Sequence, residues 1–300
     1  MSRWRVKIIR VAYWIAGAVL VAAAFILVMH LSGNNMEFSR YNADWNGTSS
    51  FFSDLDRHRS TDISNPGKLA GYPHNTTLLI IAPERHPTVQ ELAAYSAFLK
   101  EGNTIFLADD FGTGNEILAG IGSRISIIPG NLSSLDRRYP DPYSVIAYRT
   151  AEKSPVALPP DIALNRAAPL DGGAPLMLTS VMSWIDANGD RRLNMGEEMG
   201  TIPVMVTDSI GPGQLIVLSD PSIFINSMYS DEENRNNRYL IHTIVTRDGM
   251  VLVDQMNSRT ADAGGFGEIL HLIRTTINIE ISILCLLMLG VAWAWKKKTI

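Results

Sequence analysis

Two short apolar runs, Leu78–Ala82 and Thr104–Ala108, enclose a segment patterned as a helix. Val89, Leu92, Ala93, Ser96, Ala97 and Leu99 recur at helical spacing and form one mostly apolar face. Pro87-Thr88 stands where a helix can start, and Gly102-Asn103 where it stops. Strand, helix and strand in that order constrain the chain more than any other stretch. A right-handed crossover makes the two strands parallel neighbours. The expectation is an α/β domain with a mostly parallel, flavodoxin-like sheet and flanking helices.

Other runs extend this pattern. Glu116–Ile121 reads as a short helix and Arg124–Ile128 as a short strand. Ser144–Arg149 and Asp161–Ala167 read as strands in a Pro-, Asp- and Ser-rich insertion near 129–200. Ile202–Thr207 and Gln214–Leu218 read as a hairpin that adds an antiparallel edge. Tyr239–Val245 reads as a helix and Met250–Val253 as the last strand. Phe38–Phe52 reads as an irregular lead-in, because Ser, Asn and Gly recur through it.

Both ends of the chain carry apolar runs beside basic clusters. Arg3, Arg5, Lys7 and Arg10 precede the run from Val11 to Leu31. Ile277 to Trp295 is followed by Lys296-Lys297-Lys298. Each run has the length of a transmembrane helix, and the positive-inside rule puts both tails, 1–10 and 296–300, in the cytoplasm. The expected organisation is therefore a two-helix cell-membrane protein. Spans at 11–31 and 277–295 bracket an extracytoplasmic domain over 32–276, with the lipid bilayer as one partner.

Composition excludes several chemistries. The chain has 300 residues and a formal net charge of -4, which gives no argument for nucleic acid. Its one cysteine, Cys285, lies in the second apolar run, so no internal disulfide, Cys-rich metal cluster or thiol nucleophile is available to the domain. No phosphate loop, no Gly-x-Ser-x-Gly elbow and no His pair at ligand spacing is present.

Carboxylates gather just past the strands. Asp109 and Asp110 follow the second strand, with Asn115 a few residues on, Asp220 follows Leu218-Ser219, and Asp254 follows Val253. The carboxyl ends of parallel strands carry binding sites. These residues are candidates for a hydroxylated ligand or a cation. The bland alternative is that each Asp caps a turn or a helix.

A second candidate is the segment DANGDRRLNMGE. Asp186, Asn188, Asp190 and Glu197 fall at places one, three, five and twelve of an EF-hand-like loop, with the Arg192 carbonyl at place seven. Calcium, as a structural ion, is the cofactor this spacing suggests. Arg191 occupies the sixth place, where glycine is usual.

The runs LLIIAPERHPTVQELAAYSAFLKEGNTIFLADDFGTGNEIL, IVLSDPSIFIN, NNRYLIHTIV and VLVDQMNSR resemble an archaeal and bacterial family, the domain of unknown function 4350. The resemblance covers most of residues 36–260. It implies a class I glutamine amidotransferase-like fold without the catalytic cysteine, a membrane anchor and other membrane or extracytoplasmic proteins as partners. Asp109, Asp110, Gly114 and Asn115 match the family's run after the second strand, and Asp220-Pro221 its strand-end pair. The last strand departs from it at Val253–Asn257.

The function expected from all this is a non-catalytic, membrane-anchored extracytoplasmic binding or scaffold protein. The alternative is a metal-dependent hydrolase or carbohydrate-processing enzyme that uses Asp110, Asp220 and Asp254.

Overall fold

Every residue of Thr77–Ile81 and Thr104–Ala108 is buried, as in strands covered on both faces. The computed structural model describes residues 36–55, 60–150, 154–246 and 249–260, together with Gly17. In chain order the elements are α1 (Ser49–Leu55), β1 (Ser60–Ile63), β2 (Thr77–Ile81), α2 (Val89–Lys100), β3 (Thr104–Ala108), α3 (Gly114–Gly120), β4 (Ser126–Ile127) and β5 (Asn131–Ser134). There follow β6 (Ile146–Arg149), β7 (Asp161–Ala163), β8 (Leu170–Asp171), β9 (Ala174–Thr179), β10 (Ser183–Asp186), β11 (Pro203–Ile210) and β12 (Gly213–Leu218). A 3-10 turn (Pro221–Phe224), α4 (Asn226–Tyr229), α5 (Arg235–Val245) and β13 (Val251–Asp254) complete the set. Asn35–Ala261 is one compact unit.

Nine strands form one sheet in the order β1-β13-β2-β3-β12-β11-β9-β6-β7. β1, β13, β2, β3 and β12 run parallel to one another. From β12 onward, β11, β9, β6 and β7 pair antiparallel. Two short ribbons, β10 with β5 and β4 with β8, are antiparallel as well.

Alternate residues of the parallel strands enter two different cores, as a period of two demands. Leu79, Ile81, Phe106, Ala108, Ile216, Leu218 and Val253 share one core with Phe51, Phe224, Leu240 and Ile244. Leu78, Ile80, Ile105, Leu107, Val217 and Leu252 share the other with Tyr95, Phe98, Leu99, Ile117 and Leu118. α2 and α3 therefore cover one face of this half, while α1, the 3-10 turn and α5 cover the other. α2 starts at a capping box: the Glu91 N–H donates to Thr88 Oγ1 at 3.3 Å, and the Thr88 N–H donates to Glu91 Oε2 at 2.7 Å.

Several expectations are corrected here. The sheet is mixed, not mostly parallel, and a flavodoxin-like or amidotransferase-like fold is not supported. The physical reason is the hairpin β11–β12. It was expected at an edge, but β12 pairs with β3 on one side and β11 with β9 on the other, so the antiparallel pairing continues through the sheet. The stretch read as an insertion supplies β6, β7 and β9 to that same sheet. The lead-in is not irregular throughout, because α1 forms in it and buries Phe51, Phe52 and Leu55.

The membrane reading is corrected too. Among the described residues no helix is long and apolar enough to cross a membrane. The runs at 11–31 and 277–295 lie outside the described residues. Two spans between cytoplasmic tails, an extracytoplasmic location and a bilayer partner are thus not supported.

Candidate functional site

The connections after β3 and β12 part to opposite faces of the sheet. β3 leads to α3, and β12 leads to the 3-10 turn and α4. Neighbouring parallel strands that part in this way leave a crevice at their carboxyl ends, where ligands of open α/β sheets bind. A cleft of about 670 Å³ opens there. Asp109, Asp110, Phe111 and Gly112 line it from the β3 loop, Ala82 and Pro83 from just after β2, and Ser222 and Ile225 from beyond β12. Glu37, Phe38, Trp45, Asn131, Asp141, Asn165, Arg166 and Arg259 complete the wall.

The strand-end acids differ in what their oxygens do. Asp109 is buried and accepts from the Gly112 N–H at 3.1 Å and the Gly114 N–H at 2.7 Å. A Cβ on Gly112 would stand 2.1 Å from the Pro83 carbonyl oxygen, and one on Gly114 2.4 Å from Asp109 Oδ2. Both glycines let the loop fold onto this carboxylate. Burial pushes Asp109 up to about 7, with Asp110 adding to the rise and the Gly114 and Gly112 N–H groups opposing it.

Asp220, fully buried, accepts from the Asn165 N–H at 2.5 Å and the Ser222 N–H at 2.7 Å. It caps the 3-10 turn and pins the loop that carries Asn165 and Arg166. Burial raises it to about 7, and the charge of Asp110 raises it further while those N–H groups oppose.

Asp110 lines the cleft beside Asp109 and is the more exposed of the two. Its Oδ1 accepts from the Phe111 N–H at 2.6 Å. Burial raises it to about 6, against a pull from Arg259 and with a push from Glu37.

Asp254 does not join them. It sits on the α2 side, where Oδ1 accepts from the Tyr95 hydroxyl at 2.8 Å and Oδ2 accepts from the N–H groups of Asn257 and Ser258. Asn115 is likewise structural: its side chain donates to the Ile127 carbonyl and accepts from the Ile127 N–H, both at 2.8 Å.

The Asp186–Glu197 loop closes on itself. Asp186 is buried and accepts from the Gly189 and Arg191 N–H groups at 2.7 Å each, and from the Tyr143 hydroxyl at 2.8 Å. Asn188 accepts from the Asp190 N–H, Asp190 from the Arg192 N–H, and Glu197 from the Ala187 and Asn194 N–H groups. Arg191 has φ of 65°, the left-handed conformation that the sixth place requires. Among the described residues no group of three or more His, Cys, Asp or Glu side chains could hold a metal ion.

Sequence reasoning missed most of the cleft. Trp45 is 67% exposed and Phe111 54% exposed. The Asn226 side chain holds the Trp45 loop by donating to the Asn42 and Asp44 carbonyls. Three non-glycine residues with positive φ line the same cleft: Phe38 (61°), Ala82 (46°) and Arg166 (61°). Strained backbone of this kind concentrates at functional sites. Of the three, only Ala82, the last residue of the apolar run Leu78–Ala82, stood at a strand end that the sequence marked. A second groove of about 420 Å³ lies elsewhere, between Phe51, Tyr229, Tyr239 and Arg235.

A parallel half with helices packed on both faces, a cleft at its strand ends and an antiparallel extension define the class of domain. The chain belongs to the family described as domain of unknown function (DUF4350), whose model matches residues 40–244. No curated protein matches it. Among solved structures it is similar to the mmIFT52 N-terminal domain, at 17% identity over 67% of this chain and 91% of that one, with a TM-score of 0.48. It is also similar to a β-galactosidase from Bacillus circulans sp. alkalophilus, at 11% identity over 59% of this chain and 23% of that one, TM-score 0.33. A third is the cytoplasmic protein STM1381 from Salmonella typhimurium LT2, at 15% identity over 66% and 87%, TM-score 0.35. None of these is near enough to transfer a ligand or an activity.

Proposed function

We propose that this protein is a non-catalytic binding domain for a small polar ligand, held in the cleft between the β3 and β12 loops. One observation carries the reading. Of the strand-end acids, Asp109 and Asp220 each have both oxygens engaged by backbone N–H groups, whereas Asp110 lines the cleft with only Oδ1 so engaged, by the Phe111 N–H. A polar cleft with a few convergent groups is the usual form of a small-molecule site.

The alternative, a metal-dependent hydrolase on Asp110, Asp220 and Asp254, lacks its arrangement. Asp254 is held under α2 by Tyr95, and Asp220 holds Asn165 and Ser222. The Asp110 carboxylate is placed to accept hydrogen bonds from a ligand.

Thermal shift of the full chain against a library of small polar metabolites tests this. A hit should raise the melting temperature of the wild type and lose most of that rise in Asp110→Asn and Arg166→Ala. Turnover of the hit into a released product would overturn the non-catalytic reading. Hits unaffected by either substitution would overturn the site.

A further inference from the structure

We infer that the ligand is a neutral carbohydrate, with a sugar ring stacked at the Trp45–Phe111 rim and its hydroxyls bound by Asp110, Asn165 and Arg166. The inference rests on the cleft being the binding site.

Charge argues for a neutral ligand. Arg259 pairs with Glu37 at 3.3 Å and with Glu84 at 3.1 Å, and Arg191 pairs with Asp141 at 3.6 Å. Asp109 is engaged by the two glycine N–H groups. Among the described residues Asp109, Asp110 and Arg166 are the charged cleft groups without an ion-pair partner, and with both Asp109 oxygens taken by the glycine N–H groups, Asp110 and Arg166 are left to meet a ligand. A ligand with a single net charge of either sign meets one of these groups favourably and the other unfavourably, so a ligand without net charge is favoured. A hydroxyl offers a donor to the carboxylate and an acceptor to the guanidinium.

Shape and surface argue for a ring with an apolar face. Trp45 and Phe111 are both more than half exposed and both line the cleft. Trp45 and Phe111 come from separate segments, the first placed by Asn226 and the second by the loop folded onto Asp109. A pyranose has C–H groups on its faces and hydroxyls around its edge. The faces suit the rings, and the edge suits the carboxylate, amide and guanidinium behind them. The cleft holds more than one sugar unit, since drug-sized ligands occupy cavities of about 300–1,000 Å³.

The experiment is calorimetric titration of the full chain with maltotriose, cellotriose and a β-galactobiose. Glucose 6-phosphate, glucuronate, nucleosides and free amino acids form the comparison set. At least one neutral oligosaccharide should bind, weakened tenfold or more in Trp45→Ala and in Asp110→Asn. Trp45→Phe should recover part of the loss, and Tyr239→Ala in the other groove should change nothing. Tight binding of an amino acid, nucleoside or charged sugar that Asp110→Asn abolishes, with no neutral oligosaccharide binding at about 10 mM, keeps the cleft and overturns the carbohydrate. Oligosaccharide binding that is indifferent to both Trp45→Ala and Asp110→Asn overturns both.

Discussion

The Tyr95 hydroxyl, on α2, donates to Asp254 Oδ1 at 2.8 Å and accepts from the Asn257 side-chain amide at the same distance. Both partners are buried at the end of β13. Tyr95→Phe leaves a carboxylate oxygen and an amide without their partner, which costs about 1–3 kcal/mol. Urea unfolding should show a lower midpoint with an unchanged slope. An unchanged midpoint would mean that this bond is not holding the loop after β13.

The acids around the cleft make stability depend on pH with a definite sign. Burial raises Asp109 and Asp220 to about 7 and Asp110 to about 6. In the unfolded chain each titrates near about 3.9. The folded state therefore holds these protons more tightly. The stability they contribute is complete below the unfolded value and is lost as pH rises through the folded values. The urea midpoint should fall between about pH 5 and about pH 7.5. Glu91, whose carboxyl is lowered despite burial by bonds from Thr88 and Arg85, titrates below that window. A midpoint that rises across it would contradict the buried acids.

Gly112 and Gly200 make a matched pair. A Cβ at Gly112 meets the Pro83 carbonyl oxygen at 2.1 Å and Asp109 Oδ1 at 2.6 Å, whereas one at Gly200 meets nothing within 4 Å. Gly112→Ala should cost about 1–3 kcal/mol by overpacking and should weaken ligand binding, because the loop that presents Phe111 must move. Gly200→Ala should stay within about 0.5 kcal/mol of wild type. Equal stabilities by urea titration would show that the loop yields freely.

Melting in calcium and in EGTA decides whether the Asp186–Glu197 loop takes an ion. The loop's carboxylates already accept from its own N–H groups, so the midpoints should agree within about 1–2 °C. A rise of several degrees in calcium, abolished in Asp190→Ala, would establish the ion as structural.

How far the sequence could be read follows from which interactions are local. Strand, helix and strand around Leu78–Ala108 were legible because β2 and β3 are buried on both faces and Thr88–Glu91 caps α2 within four residues of chain. The acids past the strands were legible as positions but not as roles. Whether an Asp faces the cleft, as Asp110 does, or lies under α2, as Asp254 does, depends on the sheet face and on Tyr95 from a distant segment. The antiparallel half was hidden because β9 pairs with β11 through register shifts and with β6 across a proline-rich stretch. Trp45 gave no signal at all. Its place on the rim depends on Asn226, far along the chain.

Crystallographic soaking of the full chain with a set of small polar fragments tests the central claim most directly. Fragments should collect in the cleft between the β3 and β12 loops, within hydrogen-bond reach of the Asp110 carboxylate and the Arg166 guanidinium. Fragments gathered instead in the groove of Phe51, Tyr229 and Tyr239, with the Asp110 cleft left bare, would contradict it.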